Sequence, residues 1–466
     1  MKYIQRKFRI LFASIGNRNV KLNLQNALPY WTGSFIIGII SVIYAKLFSL
    51  AEEGTKYIFD LDSRLFFIVT PIAFVSAWWI VKKFAPFARG SGIPQVTASI
   101  ELTNPSHFYK VDKLLSIRII IVKVVSSLVM VFGGGVVGRE GPTIQISASI
   151  FKKINDWLPE WYPKISRRNM IVTGAAAGLA SAFNTPLGGI VFAIEELTKT
   201  HFSYFKSALL TGVIIAGLTS LHFLGPYLYL GYPAVNNINL WLIIVVIPVS
   251  ILTGVCGSGM GRILLFIFRK KRAFIKDRQL AVYAIVCGLI VAVLAYYIDH
   301  RMLGSGKDIM VTALFSKDKS IEWYVPLLRM IGPIISFSTG SAGGIFAPSL
   351  SAGASIGALV SGWLHLTGSE TNLIVLCGMV GILTGITRSP FTSSILVIEM
   401  TSTHNIIFYL MLSGLFANIF SNLVSKHSFY DYLKDQYIHD IHLSEIQEER
   451  ITKQLQPKIK SKREMI

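Results

Sequence analysis

Apolar stretches of about membrane-spanning length recur along this chain, and no other feature limits its fold so strongly. A helix needs about 20 apolar residues to cross the hydrocarbon core of a bilayer. The clearest such stretches run from Trp31 to Leu50, Leu65 to Val81, Ala208 to Leu224, Leu240 to Gly261, Leu280 to Ile298 and Ile406 to Val424. Others are shorter or are cut by Gly, Pro or a lone charge: Leu115 to Val137, Met170 to Ile194, Val325 to Phe337 and Ile345 to Leu364. A large soluble helical protein would need polar faces at helical spacing, and most of the chain has none. Charged residues make up only 15% of the sequence, against roughly 25% in soluble domains. The fold class expected is an all-α, multi-pass integral membrane protein with the lipid bilayer as its solvent.

The formal net charge of +20 would suggest nucleic acid in a soluble protein. Here the basic residues gather in short connecting segments: Lys2, Arg6, Lys7, Arg9, Arg18 and Lys21; Lys152, Lys153, Lys164, Arg167 and Arg168; Arg269, Lys270, Lys271, Arg272, Lys276 and Arg278. That is the positive-inside pattern, so no nucleic-acid partner is implied and these segments are expected in the cytoplasm. The N-terminal apolar run is short and interrupted by charge, unlike a cleaved signal peptide. Cys256, Cys287 and Cys377 lie in apolar segments without metal-ligand spacing and read as inert thiols. No disulfide, metal or cofactor is expected.

The chain also repeats itself. GAAAGLASAFNTPLGGIVFAIEELT from Gly174 lies over GMVGILTGITRSPFTSSILVIEMTS from Gly378, pairing Gly174 with Gly378, Pro186 with Pro390 and Glu195 with Glu399, each 204 positions apart. Gly138-Arg139-Glu140-Gly141-Pro142 faces Gly344-Ile345-Phe346-Ala347-Pro348 at an offset of 206. The reading is a basic N-terminus (1–27), a first membrane repeat (28–225), a second (226–430, including a connector 226–234) and a polar tail (431–466). The tail is read as solvated, and its basic end could also touch anionic headgroups. Duplicated transporters place substrate at the interface of the halves, on broken helices; the residues alone leave open whether this repeat is parallel or inverted.

Three Gly-rich segments end in Pro and lead into helical runs: Gly90-Ser91-Gly92-Ile93-Pro94, residues 138–142 and residues 344–348. Pro suits the first helical turn, Gly lets an anion approach the backbone, and the exposed N–H groups with the helix dipole make an anion site without a full positive charge. Any one motif alone more often marks close helix packing; three together favour the anion reading. A carboxylate such as Glu140 at a helix start within the membrane is costly unless it has a function. Gly304-Ser305-Gly306-Lys307 resembles a phosphate loop only faintly, with Arg301 where the first Gly belongs and Asp308 in place of Ser or Thr. HExxH and GxGD are absent, which disfavours an intramembrane enzyme.

GSGIP, GREGP and GIFAP in this order and spacing resemble the CLC family of chloride channels and chloride/proton antiporters, over residues 30 to 430. The resemblance is to bacterial members without added cytosolic domains. It implies an inverted repeat of tilted, broken helices, a homodimer with one ion path per subunit, and a multi-pass protein of the bacterial inner membrane with both termini cytoplasmic. It implies chloride and protons as the transported ions. Residue by residue, it implies that Ser91 and the backbone N–H groups of Ile345 and Phe346 bind the central anion. Tyr430 would complete the site, with Phe429 as an adjacent candidate and an interfacial anchor as the other role open to Tyr430. Gly90, Gly92, Arg139, Gly141 and Gly344 would line the path. Glu140 would be the gate that competes with chloride and carries the proton, unless it merely pairs with Arg139. Glu196 would hand protons to it from the cytoplasm, which marks antiporters; a solvated helix-end glutamate and a passive channel are the alternatives. Ser rather than Met or Pro at position 91 points to chloride over fluoride or nitrate. Glu399, partner of Glu195 in the repeat, is expected to satisfy a helix terminus, and Gln95 departs from the Glu common among relatives.

Overall fold

The structure is a computed structural model that describes residues 12, 16–104, 106–198, 206–225, 228–274 and 276–463. Lys2, Arg6, Lys7 and Arg9 of the basic N-terminus lie outside it. Its helices are α1 (Arg18–Leu61), α2 (Phe66–Phe84), α3 (Ile93–Glu101), α4 (Val111–Leu114), α5 (Ile117–Phe132), α6 (Glu140–Asp156), α7 (Arg167–Phe183), α8 (Pro186–Phe192), α9 (Lys206–Leu224), α10 (Ile243–Lys271), α11 (Asp277–Tyr297), α12 (Lys307–Phe315), α13 (Tyr324–Ser338), α14 (Phe346–Trp363), α15 (Gly368–Thr387), α16 (Pro390–Thr401), α17 (Ile407–Val424) and α18 (Phe429–Arg463). Eight helical segments among the described residues are long and apolar enough to cross a bilayer. Helix α1 starts ahead of the expected membrane segment because the Asn17 side chain accepts the N–H groups of Asn19 and Val20, two donors that a helix start leaves unpaired.

The apolar run from Met170 to Ile194 is not one helix. Asn184 closes α7 in the left-handed region, at φ 58°, a conformation its short polar side chain tolerates. Pro186, which cannot continue a helix across its missing N–H, then opens α8. A π-helical turn, Ala193–Thr198, carries Glu195 and Glu196 beyond it. The second half breaks identically: α15 ends at Arg388 with φ 65° and Pro390 opens α16.

The two halves run helix for helix, α1 to α9 against α10 to α17 with only the single turn α4 unmatched. Lys82 in the last turn of α2 pairs with Asp277 in the first turn of α11, so these equivalent helices lie antiparallel, as an inverted repeat requires. The equivalence reaches Gly304-Ser305-Gly306, which the sequence suggested only as a weak phosphate loop. It is the counterpart of Gly90-Ser91-Gly92: Gly90 and Gly304 have φ of 66° and 64°, and Gly92 and Gly306 both precede a nine-residue helix in the left-handed region. Each loop is held by a fully buried basic side chain at an equivalent position. Lys123 donates to the Gly90 carbonyl at 2.9 Å, and Arg329 donates to those of Met302 at 2.7 Å and Leu303 at 3.2 Å, and to Ser351 Oγ at 2.8 Å.

Helices α7 and α15 form the centre, buried from residue 170 to 183 and from 371 to 387. Helix α14 approaches α15 backbone to backbone. A Cβ on Gly378 would stand 2.3 Å from the Gly353 carbonyl oxygen, and one on Gly353 would stand 2.3 Å from that of Gly378. Neither backbone can yield cheaply, so Gly378→Ala should cost about 1–3 kcal/mol and lower the melting temperature of the purified protein. Gly362→Ala, where a Cβ meets nothing within 4 Å, should not lower it.

The C-terminal segment corrects the expectation of a solvated tail. Residues 429–463 form one helix, and Leu433, Tyr437 and Ile441 are buried at helical spacing. This face lies on the first half. Tyr437 Oη donates to the Arg89 carbonyl at 3.0 Å, Arg89 pairs with Asp440, Lys434 with Glu101 at 2.6 Å, and Lys110 with Glu445 at 2.8 Å.

Candidate anion and proton site

The three Gly-rich segments converge. Gly138 and Gly344, equivalent in the repeat, exchange both backbone hydrogen bonds, N–H of Gly138 to O of Gly344 at 2.8 Å and the reverse at 2.7 Å. Gly90 donates to Ser341 O at 2.8 Å and accepts from Gly343 at 3.1 Å. The N-termini of α3, α6 and α14 therefore meet at one junction between the halves, bringing together N–H groups without intrahelical acceptors. The fit is too close for side chains: a Cβ on Gly92 would lie 2.8 Å from the Gly141 carbonyl oxygen, and one on Gly344 would lie 3.0 Å from the Gly138 oxygen.

Ser91 and Tyr430 reach this junction from different halves. Ser91 Oγ lies against Gly141, 2.2 Å from where a Cβ would stand there. Tyr430 sits in the first turn of α18, its ring centroid 6.1 Å from that of Phe346. Ser91 and Tyr430 are 1% and 2% exposed; their buried hydroxyls interact with each other, and neither has a further hydrogen-bond partner among the described residues. A hydroxyl has one donor and two acceptor lone pairs, so one mutual contact leaves buried hydrogen-bonding capacity unused. Phe429 instead packs with Phe337, at 5.8 Å between ring centroids, and has no polar atom to offer.

Glu140 is the first residue of α6 and 1% exposed. Its Oε1 accepts from Tyr229 Oη at 3.4 Å, while Oε2 is buried beside Gly138 with no side-chain partner among the described residues. Arg139 precedes it at the helix cap and gives its carbonyl to the N–H and hydroxyl of Thr143. Glu196 is buried, not solvated: it is 4% exposed and accepts from Ser389 Oγ at 2.7 Å. Glu196, Ser389, Thr387, Phe346 and Tyr430 lie around one gap too small to hold a water molecule.

The neighbouring glutamates do different work. Glu195 accepts from the N–H groups of Phe391 at 3.2 Å and Thr392 at 2.7 Å, at the start of α16. Glu399 accepts from Leu187 at 3.0 Å and Gly188 at 2.6 Å, at the start of α8. All the positions are equivalent at an offset of 204, so each half caps a broken helix of the other. This is the terminus role expected for Glu399.

Residues 72–422 match the family described as voltage gated chloride channel. The chain is a CLC protein. The H(+)/Cl(-) exchange transporters ClcA of Citrobacter koseri and Salmonella arizonae are 30% and 29% identical to it over 422 residues, 85% of each chain. A slow cyanobacterial Cl-/H+ antiporter superposes with a TM-score of 0.78 at 22% identity, covering 89% of this chain and 98% of that one. A CLC-type fluoride/proton antiporter superposes at 0.73 and 20% identity with the same coverage. This CLC chain is thus a multi-pass anion transporter of a family of transporters, not enzymes, with the all-helical inverted-repeat fold.

Three residues that hold the Gly-rich loops or touch Glu140 escaped the sequence reading. Lys123 and Arg329 interrupt the apolar runs that became α5 and α13, and an ionisable residue within a span is a signal of function that could have found them. Tyr229 lies in the connector, where no pattern marks it. Gln95, the departure from relatives, donates to the carbonyls of Arg89 at 2.6 Å and Phe87 at 3.1 Å, tying α3 to the chain before it.

Proposed function

We propose that this CLC protein exchanges chloride for protons. Chloride is bound by the Ser91 and Tyr430 hydroxyls and the N–H groups of Ile345 and Phe346. Helix-terminal amides and hydroxyls attract an anion without the full charge of a Lys or Arg at the site, so the ion can leave again. Glu140 carries the same charge as chloride and competes for the same amides. Protonated, it loses that attraction, swings out and admits chloride, so one side chain gates the anion and carries the proton. Glu196 passes protons between the cytoplasm and Glu140. Gly90, Gly92, Arg139, Gly141 and Gly344 line the path with backbone. The protein acts as a homodimer in the bacterial cytoplasmic membrane with both termini in the cytoplasm. Ser91 supports chloride rather than fluoride as the anion.

The observation that supports this reading is a pair of buried glutamates, Glu140 and Glu196, both close enough to Tyr430 to act on it electrostatically, with the Tyr430 hydroxyl meeting that of Ser91. The test is proton movement into liposomes driven only by a chloride gradient. Wild-type protein should drive protons uphill. Glu196→Gln should cut that movement more than about tenfold, a loss of over ~1.4 kcal/mol, while chloride still flows. Chloride flux without proton movement in the wild type would make the protein a passive channel, and no anion flux would overturn the proposal.

A further inference from the structure

A second basic site lies apart from the ion path. Helix α10 carries Arg262 and, in its last turn, Arg269, with Arg272 just past its end, and the turn joining α17 to α18 carries Lys426 and His427. These segments are far apart in the sequence, yet they line one open concavity of about 760 Å3, together with Leu265, Val424 and Ser425 and with Tyr432, Gln436 and His439 of α18. No carboxylate lines it. None of Arg262, Arg269, Arg272 and Lys426 pairs with a carboxylate among the described residues. Arg262 donates to the Val424 carbonyl at 3.1 Å, which ties the α17 end to α10.

Four permanent cations around one concavity repel each other, and positive-inside sorting explains their side of the membrane but not their convergence. The charge invites an anion larger and more charged than chloride. Guanidinium forks match phosphate oxygens in pairs, and Tyr432 and Gln436 add neutral donors. We propose that this cavity binds a phosphate-bearing anion of at least two negative charges, either a lipid headgroup or a soluble phosphate. The site touches α18 two residues beyond Tyr430, so its occupant would stiffen the helix that carries the proposed chloride ligand.

The test is the melting temperature of the purified full-length protein at constant ionic strength, titrated with inorganic pyrophosphate, with short-chain phosphatidic acid, or with short-chain phosphatidylcholine as the zwitterionic control. Saturable stabilisation is expected from at least one anionic probe and not from the control. Pyrophosphate acting alone identifies a soluble ligand, and the lipid acting alone identifies a headgroup. Half-saturation should weaken at least tenfold in Arg269→Gln/Arg272→Gln and severalfold in Lys426→Gln. It should hold in Lys270→Gln/Arg278→Gln, which loses equal charge outside the cavity. The single variant keeps the test decisive if the double variant does not fold. No saturable stabilisation, or equal weakening in both double variants, would overturn the proposal.

Discussion

Replacing Glu140 by Gln should leave a protein that passes chloride but no longer couples it to protons. The substitution keeps the shape of the side chain and its acceptor for Tyr229 Oη, 3.4 Å away in the wild type, so the α6 start should persist. What it removes is the negative charge proposed to compete for the amides at the junction and the carboxylate proposed to take up a proton. Proton movement driven by chloride should fall more than about tenfold, over ~1.4 kcal/mol. Chloride flux should also lose its pH dependence. On the proposed mechanism acid would protonate Glu140 and free the site, so wild-type flux should rise as pH falls; in Glu140→Gln the side chain is neutral at every pH and flux should stay flat. Parallel chloride and proton flux measurements across a pH series in liposomes check both parts. Coupling that survived the substitution would assign the proton to another group.

The parts of this architecture that depend on chain chemistry alone were visible in the sequence. Apolar length marked the spans from Trp31, Leu65, Ala208, Leu240, Leu280 and Ile406, because a bilayer accepts few other patterns. Gly and Pro marked the broken helices, because backbone that leaves the helix near an ion leaves Gly before it and Pro within its first turn. What stayed hidden depends on symmetry in space. Gly90-Ser91-Gly92 and Gly304-Ser305-Gly306 are 214 positions apart, an offset different from the 204 and 206 of the other markers, so the loop spacing concealed their kinship. Helix α15 was found as a repeat partner of α7 rather than as a span, since Gly, Thr and Asn dilute its apolarity. The fold of α18 was missed because its buried stripe of Leu433, Tyr437 and Ile441 sits among charges that lower the mean hydropathy.

A single methyl group should test the proposed anion site more sharply than removal of any ligand. Gly141 lies in the first turn of α6, and a Cβ there would stand 2.2 Å from Ser91 Oγ and 3.0 Å from the Ser91 carbonyl oxygen. The hydroxyl can rotate away, but then it no longer points into the junction; the carbonyl can move only by shifting the loop whose Gly90 is pinned by Lys123 and Gly343. Either response displaces a proposed chloride ligand. Overpacking of this kind costs about 1–3 kcal/mol, and if that cost falls on the anion complex, chloride affinity drops by roughly 5- to 150-fold at 1.4 kcal/mol per decade. Chloride binding to Gly141→Ala, followed by titration calorimetry, should weaken within that range. Gly259→Ala on α10 adds the same methyl where nothing lies within 4 Å. It should bind chloride as the wild type does and gain about 0.5–1 kcal/mol of stability from the better helix former. Unchanged affinity in Gly141→Ala would mean that Ser91 does not hold the anion, and the ligands would then have to be sought among the amides of α14 and the hydroxyl of Tyr430.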